Sequence, residues 1–384
     1  MCVTAFSSAF AHSNYQGGSN GSSNYGSSTD SSSMQSGQGT YQRGTFREIT
    51  PNAGPRVAHG ADVFITANFI WWKATQDGLR YAADGLAAGQ ALSPAANPFL
   101  GAPKGKNRSV GEDWAPGFKV GLGLNLSHDG WDLYTQYTWL HASNSNSIAN
   151  ANGAVANFAG IGQQGNNPTL IRAISARGSW DLHFNVIDLE LGRNFYLSQF
   201  LTMRPFIGLK GTWQDQHFKS SYTAAATETF QIDVNGAANI NTVGPYRMSM
   251  DTDVWGIGVR GGFNLAYYMA KNWSIFGNFA WTSMWSNYHE LERRDHLDDP
   301  TTGNTKLVVN IGNDSFYTVK YVGEMELGLR WETWFYDDNY HFAIQAGWEQ
   351  QVWINWGQFV VIEEQQVEHD LALHGLNLKF RFDF

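Results

Sequence analysis

Acids and histidines close enough in sequence to activate water stand at two places: His289, His296, Asp298 and Asp299, and again His369, Asp370 and His374. A carboxylate that orients a histidine, or a histidine that draws a proton from water, would make either place a hydrolytic centre. Both have a simpler reading as solvated loop or strand-end groups, and neither has the spacing of the H-E-x-x-H metal helix. No phosphate-binding glycine loop occurs, and Gly256, Gly258, Gly261 and Gly262 read as strand glycines that permit curvature or close packing. The chain is therefore expected not to be an enzyme, with no catalytic or metal-binding residues and no cofactor.

A larger charged set recurs at alternate positions: Lys119, Asp132, Asp181, Asp188, Glu190, Arg204, Lys210, Arg260, Lys320, Glu324, Glu326, Arg330, Glu332, Glu349, Lys379, Arg381 and Asp383. Acids and bases are nearly balanced. Facing one enclosed space, such groups either line a weakly selective aqueous path or pair with one another and fill it. The residue types leave both readings open.

Alternate spacing needs strands to position it. Leu371 to Phe384 shows the pattern most plainly, with Ala372, His374, Leu376, Leu378, Phe380, Phe382 and Phe384 on one face and Asn377, Lys379, Arg381 and Asp383 on the other. A soluble edge strand carrying such a phenylalanine ladder would invite aggregation. Lipid on the first face and water on the second removes the conflict, as in outer-membrane β-barrel strands that alternate apolar-out and polar-in over about ten residues. Phe380, Phe382 and Phe384 are then expected to be the assembly signal read by the barrel-assembly machinery.

Composition agrees with this reading. No stretch approaches the roughly 18 to 20 consecutive apolar residues of a spanning helix, and the mean hydropathy is -0.35. A barrel hides its membrane signal because every second strand residue faces the lumen. The 16 Trp, 16 Tyr and 24 Phe suit the membrane-water boundary, where a ring is apolar at one end and hydrogen-bonded at the other. A net charge of -9 without a basic aromatic stripe argues against nucleic-acid binding. The one cysteine, Cys2, lies in Met1 to Ala11, which reads as the tail of a secretory signal with Ala9-Phe10-Ala11 at the cleavage pattern. Cleavage there would leave no disulfide framework.

Residues 12–60 are rich in Ser, Gly and Asn up to about Thr40 and interrupted by Pro51 and Pro55, so a disordered periplasmic tail is expected before a barrel at 61–384. The barrel segment alternates short turns with long polar loops. Asp62 to Thr75 is the first strand, and Trp114 to Ser127 returns through His128-Asp129-Gly130 to Trp131. Trp180 to Phe195 pairs with Leu201 to Trp213, Val254 to Ala266 with Trp273 to Trp285, and Thr318 to Trp334 with His341 to Gln351. With the last strand this gives an all-β, up-and-down antiparallel transmembrane barrel of about 10 strands, both termini periplasmic. The alternative is 12 to 16 strands if the loops 141–179, 214–253, 286–317 and 352–370 conceal hairpins; Leu307 to Ile311 alternates weakly. One strand breaks phase between Val186 and Ile187, where a β-bulge is expected to bring Trp180, Leu182, Phe184 and Val186 to the lipid face; the alternative is a dry contact on both faces there.

Several strings are specific: Asp62 to Ala82 (DVFITANFIWWKATQDGLRYA), Pro116 to His141 (PGFKVGLGLNLSHDGWDLYTQYTWLH), Phe184 to Phe195 (FNVIDLELGRNF) and Arg204 to Gly211 (RPFIGLKG). With them the chain resembles, from about Asp62 to Phe384, the pore-forming major outer membrane proteins of Legionella and chlamydia-like bacteria. The resemblance implies a porin-like barrel in a bacterial outer membrane and carries no active-site residues. It departs from cysteine-rich relatives with disulfide-linked envelopes.

The function expected is passive diffusion of small hydrophilic solutes or ions. Outer-membrane lipid and small solutes are the expected partners, a homo-oligomer is possible, and no nucleic acid is involved. The alternative is a structural or adhesive surface barrel with a sealed lumen, its Asn-rich loop 144–167 contacting a partner. An outer-membrane hydrolase is the minor alternative.

Overall fold

A strand that shows lipid one face leaves its backbone groups unpaired in hydrocarbon unless the sheet closes. The computed structural model describes residues 63–84, 106–110, 113–126, 131–149, 155–157, 163–164, 167–168, 172–224, 230–233, 239–242, 244–299, 303–360 and 366–384. The expected signal segment, the tail 12–60 and the turn His128-Asp129-Gly130 lie outside these residues. Ten antiparallel strands form the ring: β1 Val63–Gln76, β2 Trp114–Asn125, β3 Trp131–Ala149, β4 Arg172–Arg193, β5 Leu201–Ala224, β6 Tyr246–Tyr268, β7 Trp273–Asp299, β8 Phe316–Phe335, β9 Tyr340–Val360 and β10 Gln366–Asp383. Each pairs with its neighbours in order, and β10 pairs with both β9 and β1.

Short turns join β4 to β5, β6 to β7 and β8 to β9 at the end where Phe384 N also donates to Val63 O at 3.0 Å. In the last of them Tyr336, Asp337 and Asp338 hold φ values of 58, 55 and 62°, the left-handed conformation that reverses the chain. This is the turn end, and its opposite is the far end.

The strands outrun their predicted limits at the far end. Much of what reads as long loop is strand: β3 continues to Ala149, β5 to Ala224, β7 to Asp299 and β9 to Val360, while β6 begins at Tyr246. Leu307 to Ile311 lies in a further strand, Asn304–Gly312, paired with β7. These extensions are polar outside, so their composition imitates a loop.

Two aromatic girdles explain the change. Between them the outer wall is apolar, with Ile65, Leu122, Leu189, Ile207, Leu209, Val259 and Leu327 all exposed. From Met203 to Trp213, about ten residues at about 3.4 Å each and tilted about 40° rise roughly 25 Å, the height of a barrel's lipid-facing band. At the far edge Tyr137 stacks on Trp213 at 6.0 Å, Trp285 on Tyr317 at 4.8 Å, and Trp114 meets Trp348 at 5.9 Å. At the turn edge Phe200 lies 6.5 Å from Tyr267, and Tyr340 5.9 Å from Phe382.

Past the far girdle the two faces exchange polarity. Outside stand Asp181, His183, Asp215, His217, Asp251 and Asp253; inside, Phe184, Phe218, Tyr222 and Trp353 are buried. This exchange accounts for the phase break in β4. Trp180, Leu182, Phe184 and Val186 point into the barrel, not to lipid, while Ile187, Leu189 and Leu191 face lipid. Pairing with β3 and β5 runs unshifted through Val186 and Ile187, so the expected bulge is not there; β4 and β5 shift register only between Thr223 and Ala224.

The band makes a depth-specific stability test. Leu209→Arg, at mid-band, is expected to cost about 2 to 4 kcal/mol, whereas Ser145→Arg, exposed beyond the far girdle, should change stability by less than about 0.5 kcal/mol. Urea titration of the chain folded into lipid vesicles measures both, and equal losses would refute the band's placement.

Candidate functional site

The alternation of β2 to β10 turns the predicted charged set inward, with one exception. Asp181 lies on the outer wall opposite His217 and Ser143, because β4 keeps its phase and the outer face becomes polar there. The remaining sixteen residues of the set face the enclosed side. Between the girdles they form a lattice of opposite charges. Arg204 Nε donates to Asp132 at 2.8 Å and its Nη1 to Glu190 at 2.9 Å. Arg260 bridges Glu190 and, at 2.9 Å, Glu324. Lys210 reaches Glu324 at 2.9 Å and Asp188 at 2.8 Å. On the opposite wall Lys119 donates to Glu349 at 2.6 Å, and Asn377 joins Glu349 to Asn68 through two contacts of 2.8 Å. Nearest the turn end His341 Nδ1 stands 2.7 Å from Asp383, which also accepts from Arg381 at 2.7 Å, and His341 Nε2 stands 3.6 Å from Glu332. Low dielectric makes such pairs strong once formed and costly to break.

Aromatic rings interleave with these cations. Arg381 lies 3.6 Å over Phe64, Lys379 5.2 Å over Tyr134, Arg260 5.1 Å over Phe206 and Arg330 5.6 Å over Phe276, a favourable placement on the negative ring face. Gly123 makes room, since a Cβ there would overlap the Phe64 ring. Among the lattice side chains is a chamber of about 180 Å³, lined by Asn125, Gln136, Asn194, Glu326, Lys379 and Arg381 among others.

The lattice ends at a seam. Lys119 Nζ caps the Trp72 ring at 4.7 Å and Lys210 Nζ the Trp353 ring at 5.8 Å. Beyond it the far half of the lumen is closed by a mainly apolar plug, which also buries Gln214, Gln216 and the Arg293–Asp295 ion pair. Ile70, Trp72, Leu140, Trp180, Leu182, Phe184, Val322, Trp353, Trp356 and Leu371 are all 0% exposed. Trp353 and Trp356 meet edge to face at 4.8 Å, because a register shift between Trp353 and Gly357, with Asn355 at φ 53°, lets both rings turn inward. Asp370 fixes this kink by accepting the Asn355 N–H at 2.7 Å. The strand Arg80–Asp84 adds Tyr81, whose carbonyl accepts from Tyr222 Oη at 2.7 Å, and Lys320 at this level reaches Glu368 at 3.0 Å. These plug residues escape a reading by alternation because they share the lumen face with polar groups nearer the turn end. The asparagines, by contrast, stand at even spacings from the charged positions and could have been found.

The hydrolytic candidates do not assemble. His289 faces Asp253 at 3.7 Å on the outer wall, His296 lies one strand from Arg247, and Asp298 accepts from Thr305 Oγ1 at 2.7 Å. Asp299 pairs in register with Asn304. His369 packs on Phe359, and His374 sits between Trp114 and Trp348 at 6.2 and 6.0 Å. No cluster of three or more metal-ligating side chains with site geometry occurs among the described residues.

Breaking the lattice tests its energetics. Arg260→Met takes one of its two cations from each of Glu190 and Glu324, leaving them to Arg204 and Lys210, and is expected to cost about 3 kcal/mol. Adding Glu190→Gln and Glu324→Gln should recover part of that loss, since coupled sites are not additive. Denaturant unfolding in vesicles reads both, and strictly additive costs would refute the lattice.

Comparison with solved structures finds outer-membrane barrels of low sequence identity. The Escherichia coli outer membrane protease OmpT is 9% identical over 87% of this chain and 100% of its own, with a TM-score of 0.41. A major outer membrane protein from Thermus thermophilus is 11% identical over 84% of this chain and 99% of its own, with a TM-score of 0.26. The Pseudomonas putida toluene transporter TodX is 8% identical over 84% and 90%, with a TM-score of 0.29. No curated protein matches the sequence. The family described as Legionella pneumophila major outer membrane protein precursor matches residues 55–384. That span contains the whole ring, its charged lattice and its plug, and the chain accordingly belongs to this family of bacterial outer-membrane proteins.

Proposed function

We propose that this protein is a surface barrel of the outer membrane whose lumen is closed at rest, acting through its far-end wall rather than by passing solutes. The turn end faces the periplasm in this reading and the far end faces outward, as short turns and long extensions are arranged in bacterial barrels. One observation carries it. A water-filled bore wets the side chains that line it, and residues from β1, β3, β4, β8, β9 and β10 meet in a plug that water does not reach. A ten-stranded ring lies just above the size at which side chains alone fill a barrel, which favours a packed interior. The reading involves binding and no chemistry, so it needs no cofactor. Phe380 and Phe384, exposed on the lipid face of β10, are the groups this reading offers to the barrel-assembly machinery.

The diffusion pore expected from the inward charges is the second reading. It is favoured by the polar chamber in the turn half and by buried polar atoms in and around the plug without partners among the described residues: Trp72 Nε1, Trp180 Nε1, Trp356 Nε1 and both side-chain termini of Gln76. Such groups are costly to leave unsatisfied and would be relieved if the plug moved.

Planar-bilayer conductance separates the two. The full chain is expected to insert without current steps, and so is a chain lacking residues 12–60. Trp72→Ala combined with Trp353→Ala and Trp356→Ala should open steps while the barrel remains folded. Steps from the unaltered chain would establish the pore and remove the closed reading.

A further inference from the structure

On the outer wall beyond the far girdle, β4 to β7 carry ionisable groups in ordered tiers. The first is acidic and histidine-rich. His183, Asp215, Asp253 and Glu290 are register partners in one row, and Asp181, His217, Asp251 and Glu292 in the next. His217 Nδ1 stands 2.9 Å from Asp251. The second tier is basic. Ser179, Lys219, Ser249 and Arg294 form one row, and Arg177, Ser221, Arg247 and His296 the row above it. These side chains line a groove of about 230 Å³. Arg177, Lys219, Arg247 and Arg294 are exposed in it, Arg247 reaching Asp298 at 2.5 Å and Arg294 reaching Glu292. Below the girdle the same strands are aliphatic outside, with Ile187, Leu189, Ile207, Leu209, Ile257 and Val259 exposed.

We infer that this column, from aliphatic strip through carboxylate tier to basic groove, is a binding surface for an anionic glycolipid whose charged substituents are carried on sugars well beyond its acyl chains. Lipid is the partner whose position relative to the groove is already set, because the strip beneath it lies in the membrane band. Height then selects among lipids. Lys219 is six residues past Trp213, about 20 Å along the strand and roughly 15 Å above the girdle. A phospholipid holds its phosphate at the girdle, where this wall presents carboxylates and like charge repels it. A glycolipid places sugar hydroxyls there, which donate to Asp215, Asp251 and Asp253. Its phosphate or carboxylate groups then arrive at Arg177, Lys219 and Arg247, with the serine hydroxyls between them as further donors. The inference rests on the outward orientation of the far end proposed above.

The test uses the full chain in detergent micelles and native mass spectrometry with three lipids: a lipopolysaccharide whose core is phosphorylated but whose acylated disaccharide has been freed of phosphate, that same phosphate-free disaccharide stripped of the core, and phosphatidylglycerol. The core-bearing glycolipid is expected to bind at least about tenfold more tightly than the other two and to weaken with salt. Arg177→Glu with Lys219→Glu should remove most of that preference, whereas Ser145→Glu, outside the groove, should leave it intact. Heat-modifiable gel mobility confirms that each variant is folded. Equal binding of the two glycolipids, or undiminished preference in the folded double variant, overturns the proposal. Orientation is read separately with Ser249→Cys in a Cys2→Ser background, labelled on intact cells by a membrane-impermeant maleimide. Protection of the introduced thiol overturns the outward orientation, and with it the biological setting, while the micelle measurement still decides the recognition.

Discussion

Hydrocarbon offers the backbone no hydrogen-bond partner, and every other feature of this protein depends on how that need is met. The pairing of β10 with β1 across Phe64 to Gln76 removes the last sheet edge and fixes a ring of ten. A ring of that circumference is too wide to stay dry with small side chains and narrow enough for large ones to meet across it. The interior is consequently a packing problem before it is a conduit.

The solution changes along the axis. Where lipid surrounds the wall, the outside absorbs the apolar residues and the inside receives the charges, which must then satisfy one another: Arg260 and Lys210 share Glu324, and Arg204 and Arg260 share Glu190. Where water surrounds the wall, the interior becomes a mainly hydrophobic core around Trp353 and Trp356, with the Arg293–Asp295 pair buried at its far side. Lys119 and Lys210 join the regimes, each bonded to carboxylates on one side and lying against an indole on the other. One continuous set of strands thus builds a membrane barrel and a water-exposed barrel end to end.

This division explains what is legible in the sequence. Strand number, the turns at 196–199 and 336–339 and the inward charges follow from strict alternation, since in the band each strand meets lipid on one side throughout. The ends of the strands are not legible, because outside the band the outer residues of β5, from Asp215 to Thr223, are those of a loop. The phase of β4 misleads for the same reason: Phe184 and Leu189 are both apolar, yet one is held by a core and the other by lipid. Alternation records that a residue is apolar and not which apolar medium receives it. An inward Asp181 follows only if the lipid rule is extended past its boundary.

The exchange of polarity at the far girdle also works as a depth gauge. A uniformly apolar wall could ride up or down in bilayers of different thickness at a cost of only fractions of a kcal/mol per Å. Here, sinking by one residue pair would carry Asp215 and Asp253 towards hydrocarbon, and rising would lift Trp213 and Trp255 out of the interface. The barrel therefore resists vertical drift in both directions. It should deform a mismatched bilayer around itself rather than adjust to it, and so gather patches of membrane whose thickness matches its own.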